Sequence, residues 1–388
     1  LSLAIGSFRN MPSEKSRTPL AGPVLAALVL STGFAPTGAL AQSATPGAVL
    51  DEVVVSASRD PLVVRLDAAA GGTAIITPRE MPASTNLTLA RALADVPGVV
   101  VQDFFGGNDQ PRVQIRGSGL QQNPVERGVL MLRNGLPLNR ADGSYVVGFA
   151  DPGAADAIEV FRGYMANRLG ATVLGGAFNL ISPTGRSAPG FALAAGGGSF
   201  DQLSGNAQYG YAHERVDLLL QGGYTERDGF RDYNVSRREN FGGNLGLRLT
   251  DTLTVRLFAG YVDLGFDVSG PLTRDLLDHD PRTVFTGPTV TPGGAINPGP
   301  NVVRDRPRRD ASQFQAGARA TNTWGAHVID FAIGHARTDD SFRFPMSAGI
   351  RVTEGDDTTA VLRYALKPDA ARALPLFEVT AQYVTGAA

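Results

Sequence analysis

The residues of this chain that could do chemistry are few and scattered. Its four histidines, His213, His279, His327 and His335, share no ligand spacing. His327 and His335 fall on one side of a strand and read as two polar strand positions. The absence of cysteine excludes disulfides and thiolate metal sites. No Ser/His/Asp set or paired carboxylates stand at a catalytic spacing. The run Arg116-Gly117-Ser118-Gly119 is not followed by the helix that a phosphate loop requires. The expectation is a chain that is not an enzyme and carries no metal or cofactor of its own. Three polar loops stand out: Asn108, Asp109 and Gln110; Gln121, Gln122 and Asn123; Arg140, Asp142 and Tyr145. Two arginines, Arg116 and Arg162, end apolar strands. A net charge of -2 gives no reason to expect nucleic acid.

These groups sit on short apolar runs broken by glycine turns. TAIIT (73–77) is a strand. Ser84 or Thr85 can cap a helix in which Leu89, Leu93 and Val96 share a face, with Pro97-Gly98 ending it. VVVQ (99–102) is a strand, and 103–111 a loop. Asn134-Gly135 joins two apolar runs, and both residues tolerate positive φ, a strong hairpin signal. Residues 151–156 read as a helical turn before the strand at 157–161. Residues 51–185 thus read as a compact α+β domain.

From about Phe191 the period changes to two. Leu245, Leu247 and Leu249 alternate with Asn244, Gly246 and Arg248; Val255, Leu257, Ala259 and Tyr261 do so with Thr254, Arg256, Phe258 and Gly260; Leu362, Tyr364 and Leu366 with Val361, Arg363 and Ala365. A membrane β-barrel and a soluble sandwich both give this alternation. Interior glycines and polar residues opposite each apolar face favour a barrel with a wet lumen. Residues 265–312 break the pattern with prolines, glycines and charges, as a long outer loop would. Arg304, Arg306, Arg308 and Arg309 make it locally basic, a solvated face or an attraction for an anionic ligand or lipopolysaccharide phosphate.

The N-terminal part reads as targeting. Lys15 and Arg17, an apolar core at 20–35, and Ala39-Leu40-Ala41 make residues 12–41 a secretory signal, with the mature chain beginning near Gln42. Residues 1–11 read as an over-extended start, with Met11 the true one. Residues 42–50 form a flexible linker. In 51–59, Val53, Val54 and Val55 make a strand-former with a free edge: an ordinary edge strand, or a segment offered to another protein for strand addition.

Four blocks, in this order, resemble the plug of a TonB-dependent outer-membrane receptor: Ile115-Arg116-Gly117, Asn134-Gly135-Leu136-Pro137, Ile158-Glu159-Val160-Phe161-Arg162-Gly163 and Gly175-Gly176-Ala177-Phe178-Asn179. The resemblance implies an α+β plug domain (60–185) followed by an antiparallel transmembrane β-barrel, of which residues 190–388 supply the N-terminal part. A barrel holding such a plug needs roughly twenty-two strands, so about half is expected here. Residues 51–59 become the TonB box, with Asp51, Glu52, Val53, Val54, Val55, Ser56 and Ala57 contacting TonB. Arg116 and Arg162 become plug–barrel ion pairs whose carboxylates lie on the strands still to come. The polar loops become the ligand site at the outer face of the plug. The implied function is energy-coupled import of a ferric siderophore or ferric citrate-type complex across the outer membrane of a Gram-negative bacterium. The implied partners are TonB with its inner-membrane energising complex and the outer-membrane lipids and lipopolysaccharide. Haem, cobalamin or a saccharide are the alternative cargoes, and a non-functional truncated remnant the alternative status. A signalling receptor would need a further domain, for which 42–50 leaves no room.

Overall fold

The computed structural model describes residues 71–77, 88–103, 111–118, 127–163, 166, 169, 175–290, 293–294, 296–297, 300–344, 349–368 and 374–387. The expected signal, linker and TonB box lie outside these residues, as do the loop positions 108–110 and 121–123.

The N-terminal described unit contains seven short strands and one helix placed as follows. Strand β1 (Gly72–Ile76) precedes helix α1 (Leu89–Leu93), then β2 (Val99–Asp103), β3 (Pro111–Ile115), β4 (Val129–Arg133), β5 (Leu136–Pro137), β6 (Ala157–Arg162) and β7 (Gly176–Ile181). Five of the strands form one sheet in the order β1-β6-β7-β4-β5, and β2 pairs with β3 separately. The helix starts later than the sequence suggests: its cap is Thr88, whose hydroxyl accepts from the Arg91 amide, rather than Ser84 or Thr85. Its buried residues Leu89 and Leu93 join Val113, Ile115, Met131, Ile158, Val160 and Phe178 in one core. The hairpin at Asn134-Gly135 forms as expected, with φ of 53° and 75°, the left-handed pair that matches strand twist. Asp151 caps the 3₁₀ turn Pro152–Ala154 by accepting from the Gly153 amide.

From Gly190 onward nine strands form a single antiparallel sheet in strict chain order. They are β8 (Gly190–Gly198), β9 (Gln202–Ala212), β10 (Val216–Arg227), β11 (Ser236–Arg248), β12 (Leu253–Asp267), β15 (Arg308–Trp324), β16 (His327–Arg343), β17 (Ile350–Leu366) and β18 (Phe377–Ala387). Between β12 and β15 lie helix α2 (Arg274–His279), the two-residue strands β13 (Thr289–Val290) and β14 (Ile296–Asn297), and helix α3 (Val302–Asp305). The outer loop is therefore 268–307, shorter at both ends than the expected 265–312. Arg308 and Arg309 belong to a strand, not to a basic loop, and three of the four arginines are paired: Arg304 with Asp305, Arg308 with Asp267 and Asp310, and Arg309 with Asp340.

The sheet is inside-out by the standard of a soluble protein. Along β16, Ile329, Phe331 and Ile333 are exposed, whereas Asp330, Ala332 and Gly334 between them are buried. Phe241, Leu257, Tyr261, Phe314 and Leu362 are exposed on the same face. Phe241, Tyr261 and Phe314 pair in one register row, and the next row outward is polar: Glu239, Asp263, Ser312, Asp339 and Glu354. At the other end Trp324 stacks on His327 with ring centroids 5.5 Å apart, and His327 Nδ1 and the Tyr364 hydroxyl share a 2.8 Å hydrogen bond. From Phe314 to Trp324 a strand at about 3.3 Å per residue covers roughly 33 Å. A tilt of about 40° turns that into an apolar band about 25 Å tall, flanked by aromatic residues. No helix among the described residues is long and apolar enough to cross a membrane. The architecture is a plug followed by part of an antiparallel barrel wall.

Candidate functional site at the seam between plug and wall

The inner face of the wall is polar because it holds the plug. Asp151, at the capped 3₁₀ turn, receives Arg238 of β11 at 3.0 Å, and both side chains are more than nine-tenths buried. The other Asp151 oxygen accepts from the Asn240 amide at 2.7 Å. Gln221 of β10 donates to the Ala154 carbonyl, and Asn244 of β11 to Pro183. From β15, Gln313 and Gln315 donate to the carbonyls of Leu138 and Pro137. A buried polar group must find a partner, so each of these inward side chains fixes one point of plug backbone or side chain.

The hairpin apex makes a second kind of contact. Leu136 is buried against Ala332 and Val361. It points at a dent where Gly317 and Gly334 face each other across β15 and β16. A Cβ on Gly317 or Gly334 would lie 2.6 or 2.9 Å from Leu136 Cδ1. Glycine is required at both places by the close approach of the leucine, not by backbone torsion.

Toward the long-loop end the contacts become ionic. Asp340 of β16 takes two bonds of 2.8 Å from Arg309 and one of 3.2 Å from Arg140 of the plug. Asp357 of β17 accepts from the Ala141 amide at 2.8 Å. Arg140, Tyr145, Arg309, Asp340 and Arg351 border a small cavity of about 10 Å³. Beside it, Asp142 accepts from the hydroxyl and amide of Ser144 and from Arg127. Partial burial acts to raise its pKa, but those three donors outweigh it and hold the carboxyl at about 2. Val146 and Phe149 pack on Val262, Leu264, Phe266 and Phe342 of the wall.

The loops beyond this end are knit together. Arg231, between β10 and β11, donates to the carbonyls of Ser269, Gly270 and Thr283 in the 268–307 loop. Burial lowers its pKa while Asp232 opposes the shift. Phe200 meets Phe230 edge-on, and Arg282 lies over the Phe230 ring.

Of the residues singled out in the sequence, Arg140 and Asp142 lie at the plug surface facing the wall, and Tyr145 is buried at its base. The plug-internal contacts of the two strand-ending arginines are specific. Arg162 donates to the carbonyls of Pro97 and Thr73, riveting β1 to the end of α1. The Arg116 guanidinium lies against Gly163 and Gly72. No ion pair between either arginine and a wall carboxylate is present among the described residues. The wall residues that grip the plug escaped the sequence reading: Gln221, Arg238, Asn240, Gln313, Gln315, Asp340 and Asp357. Their one signal is inward phase, a polar residue opposite an apolar outer neighbour. No group of three or more His, Cys, Asp or Glu among the described residues is placed to hold a metal ion.

The chemistry of this seam is that of closure: a folded domain bonded across the bore of a membrane wall. Residues 65–177 match the TonB-dependent receptor plug domain. A vitamin B12 transporter, BtuB, of Vibrio vulnificus is 26% identical over 248 residues, 58% of this chain and 39% of that protein. The ferric citrate transporter FecA without ligand superposes with a TM-score of 0.62 at 16% identity, covering 82% of this chain and 48% of its own. The ferric yersiniabactin uptake receptor FyuA of Yersinia pestis gives 0.60 at 14%, covering 83% and 49%. At such identities the likeness to the solved structures is one of fold. The chain spans about half the length of these structures. The chain is thus similar to the TonB-dependent receptors in the sequence of its plug and in the fold of its wall.

Proposed function

We propose that this chain is the plug and part of the wall of an outer-membrane transporter that imports a scarce ligand, with energy delivered by TonB. The observation that carries the reading is the seam itself. A wall with an apolar outer band of membrane height has its inner face occupied by a domain held through Arg238–Asp151, Gln313–Leu138, Arg140–Asp340 and Asp357–Ala141. A bore so closed conducts only if the plug is moved, and that motion needs a supply of energy. Asp51, Glu52, Val53, Val54, Val55, Ser56 and Ala57 are the segment through which TonB would apply it, as an added strand. Arg116 and Arg162 are proposed to meet carboxylates of further wall strands. The polar row Glu239, Asp263, Ser312, Asp339 and Glu354 then lies at headgroup level, against lipopolysaccharide of a Gram-negative outer membrane.

The cargo we favour is a ferric siderophore or ferric citrate-type complex. It would be met by Asn108, Asp109, Gln110, Gln121, Gln122, Asn123, Arg140 and Asp142, with the sequence candidate Tyr145, buried in the plug core, supporting them from below. Support comes from the fold of the ferric-complex receptors. Cobalamin is the second reading, favoured by the sequence match to a vitamin B12 transporter. The test is growth of a strain lacking the full-length receptor, supplied with single iron complexes or with cobalamin as the limiting nutrient. Loss of growth on one ferric complex, restored by the receptor gene, supports the first reading. Loss on cobalamin alone supports the second, and unchanged growth on every nutrient overturns import of these cargoes.

A further inference from the structure

Arg133 ends β4 with its guanidinium turned toward the wall and lies in the seam described above, yet it takes no part in the clamps. Its Nη2 donates to the Phe149 carbonyl at 2.9 Å. No carboxylate among the described residues forms an ion pair with it. The nearest candidate, Asp151, is committed to Arg238, Asn240 and the Gly153 amide. Two guanidinium groups therefore stand around one carboxylate. Burial lowers the Arg133 pKa, and of its charged neighbours Asp151 opposes and Arg238 reinforces the shift.

The space beside Arg133 is a cavity of about 50 Å³ bordered by Gln221, Asn240, Gly242, Gly260 and Gln315, with the Asp151 carboxylate also on its edge. By the volume one water needs, it has room for about three or four water-sized occupants. It exists because the wall is bare there: Gly242 pairs with Gly260, and Gly260 with Gln315, in one inward row. A Cβ on Gly260 would lie 3.2 Å from Arg133 Nη1. Each bordering amide group spends one N–H elsewhere, on Ala154, Asp151 or Pro137, and has a second to offer. The wall strands facing this cavity, β10, β11, β12 and β15, are all described, and they supply no further carboxylate to its lining.

A buried charge requires a counter-charge. We infer that the Arg133 cavity is a binding site for a small inorganic monoanion of halide size, held by the guanidinium and the free N–H groups of the seam amides. The anion completes the charge balance of the plug–wall seam and makes seating of the plug depend on it. This site is separate from the ligand-facing loops, and the inference stands whichever cargo is imported.

The test uses the full-length receptor. Crystals soaked in bromide are expected to show an anomalous peak within hydrogen-bonding distance of the Arg133 guanidinium. In detergent, chloride should raise the unfolding temperature saturably above that in gluconate at equal ionic strength. Arg133→Met should lose both the peak and the chloride response, and Arg133→Lys should keep them. Gly260→Ala, which narrows the cavity and leaves the charge, should weaken the chloride response if it folds. Water alone at this place in the wild-type crystal, or a bromide peak that survives Arg133→Met, overturns the site.

Discussion

Arg238 of the wall and Asp151 of the plug form a buried ion pair at 3.0 Å across the seam. With the Asn240 bond to the other carboxylate oxygen, it fixes the capped 3₁₀ turn of the plug to β11. Removing one partner leaves the other buried with its charge less well compensated. Arg238→Met is therefore expected to destabilise the seated plug by about 3–5 kcal/mol. Asp151→Leu with Arg238→Met should recover much of that. Urea unfolding in detergent of the single and double variants checks both.

The glycine dent predicts a size rule. Gly334→Val places methyl groups where Leu136 lies and should cost about 1–3 kcal/mol by overpacking. Leu136→Ala in the same molecule makes room, so the double variant should be more stable than Gly334→Val alone. The reverse order would show that Leu136 does not occupy the dent.

Asp357 holds the Ala141 amide from across the bore. In Asp357→Ala that partly buried amide loses a hydrogen bond to a charged acceptor, worth about 1.5–3 kcal/mol. Hydrogen exchange at Ala141 should accelerate by about tenfold or more, with amides inside β6 and β7 unchanged.

Asp142 predicts a pH dependence. Its folded-state pKa is depressed to about 2 from the usual 3.8. The stabilisation it brings is thus present above the unfolded value and lost as pH falls through the folded one. Wild type should exceed Asp142→Asn in stability at pH 5, and the difference should close between pH 4 and pH 2. A difference that persists at pH 2 would remove Asp142 as its source.

The proposed strand addition of TonB to residues 51–57 would require backbone donors. Val54→Pro removes one and fixes a torsion, so import should fail while ligand still binds at the cell surface. Uptake and surface binding of the same labelled ligand separate the two.

Local signals were legible in the sequence and distant ones were not. The Asn134-Gly135 turn, the strand at 157–161 and the alternation in β11, β12 and β17 are set by neighbours along the chain, and each forms where the residues indicate. The helix start at Thr88 was misplaced because several hydroxyls compete as caps over a few residues. The loop arginines were misread because Arg308 and Arg309 find Asp267, Asp310 and Asp340 only once the strands register. The grip of Gln313 and Gln315 on the plug is set by two elements far apart in sequence, and neither element betrays the other.

That separation in sequence imposes an order in time. Wall strands pair with neighbours made just before them, but Arg140 waits 200 residues for Asp340 and Ala141 waits 216 for Asp357. Contacts that close long loops come late, because the chain gives up entropy before they reward it. As the wall lengthens from β10, the described anchors reach the plug in sequence: Arg238 and Asn240, then Gln313 and Gln315, then Asp340, then Asp357. The plug is a stopper whose vessel is built around it, and the latch at Asp357 cannot close until β17 is in place.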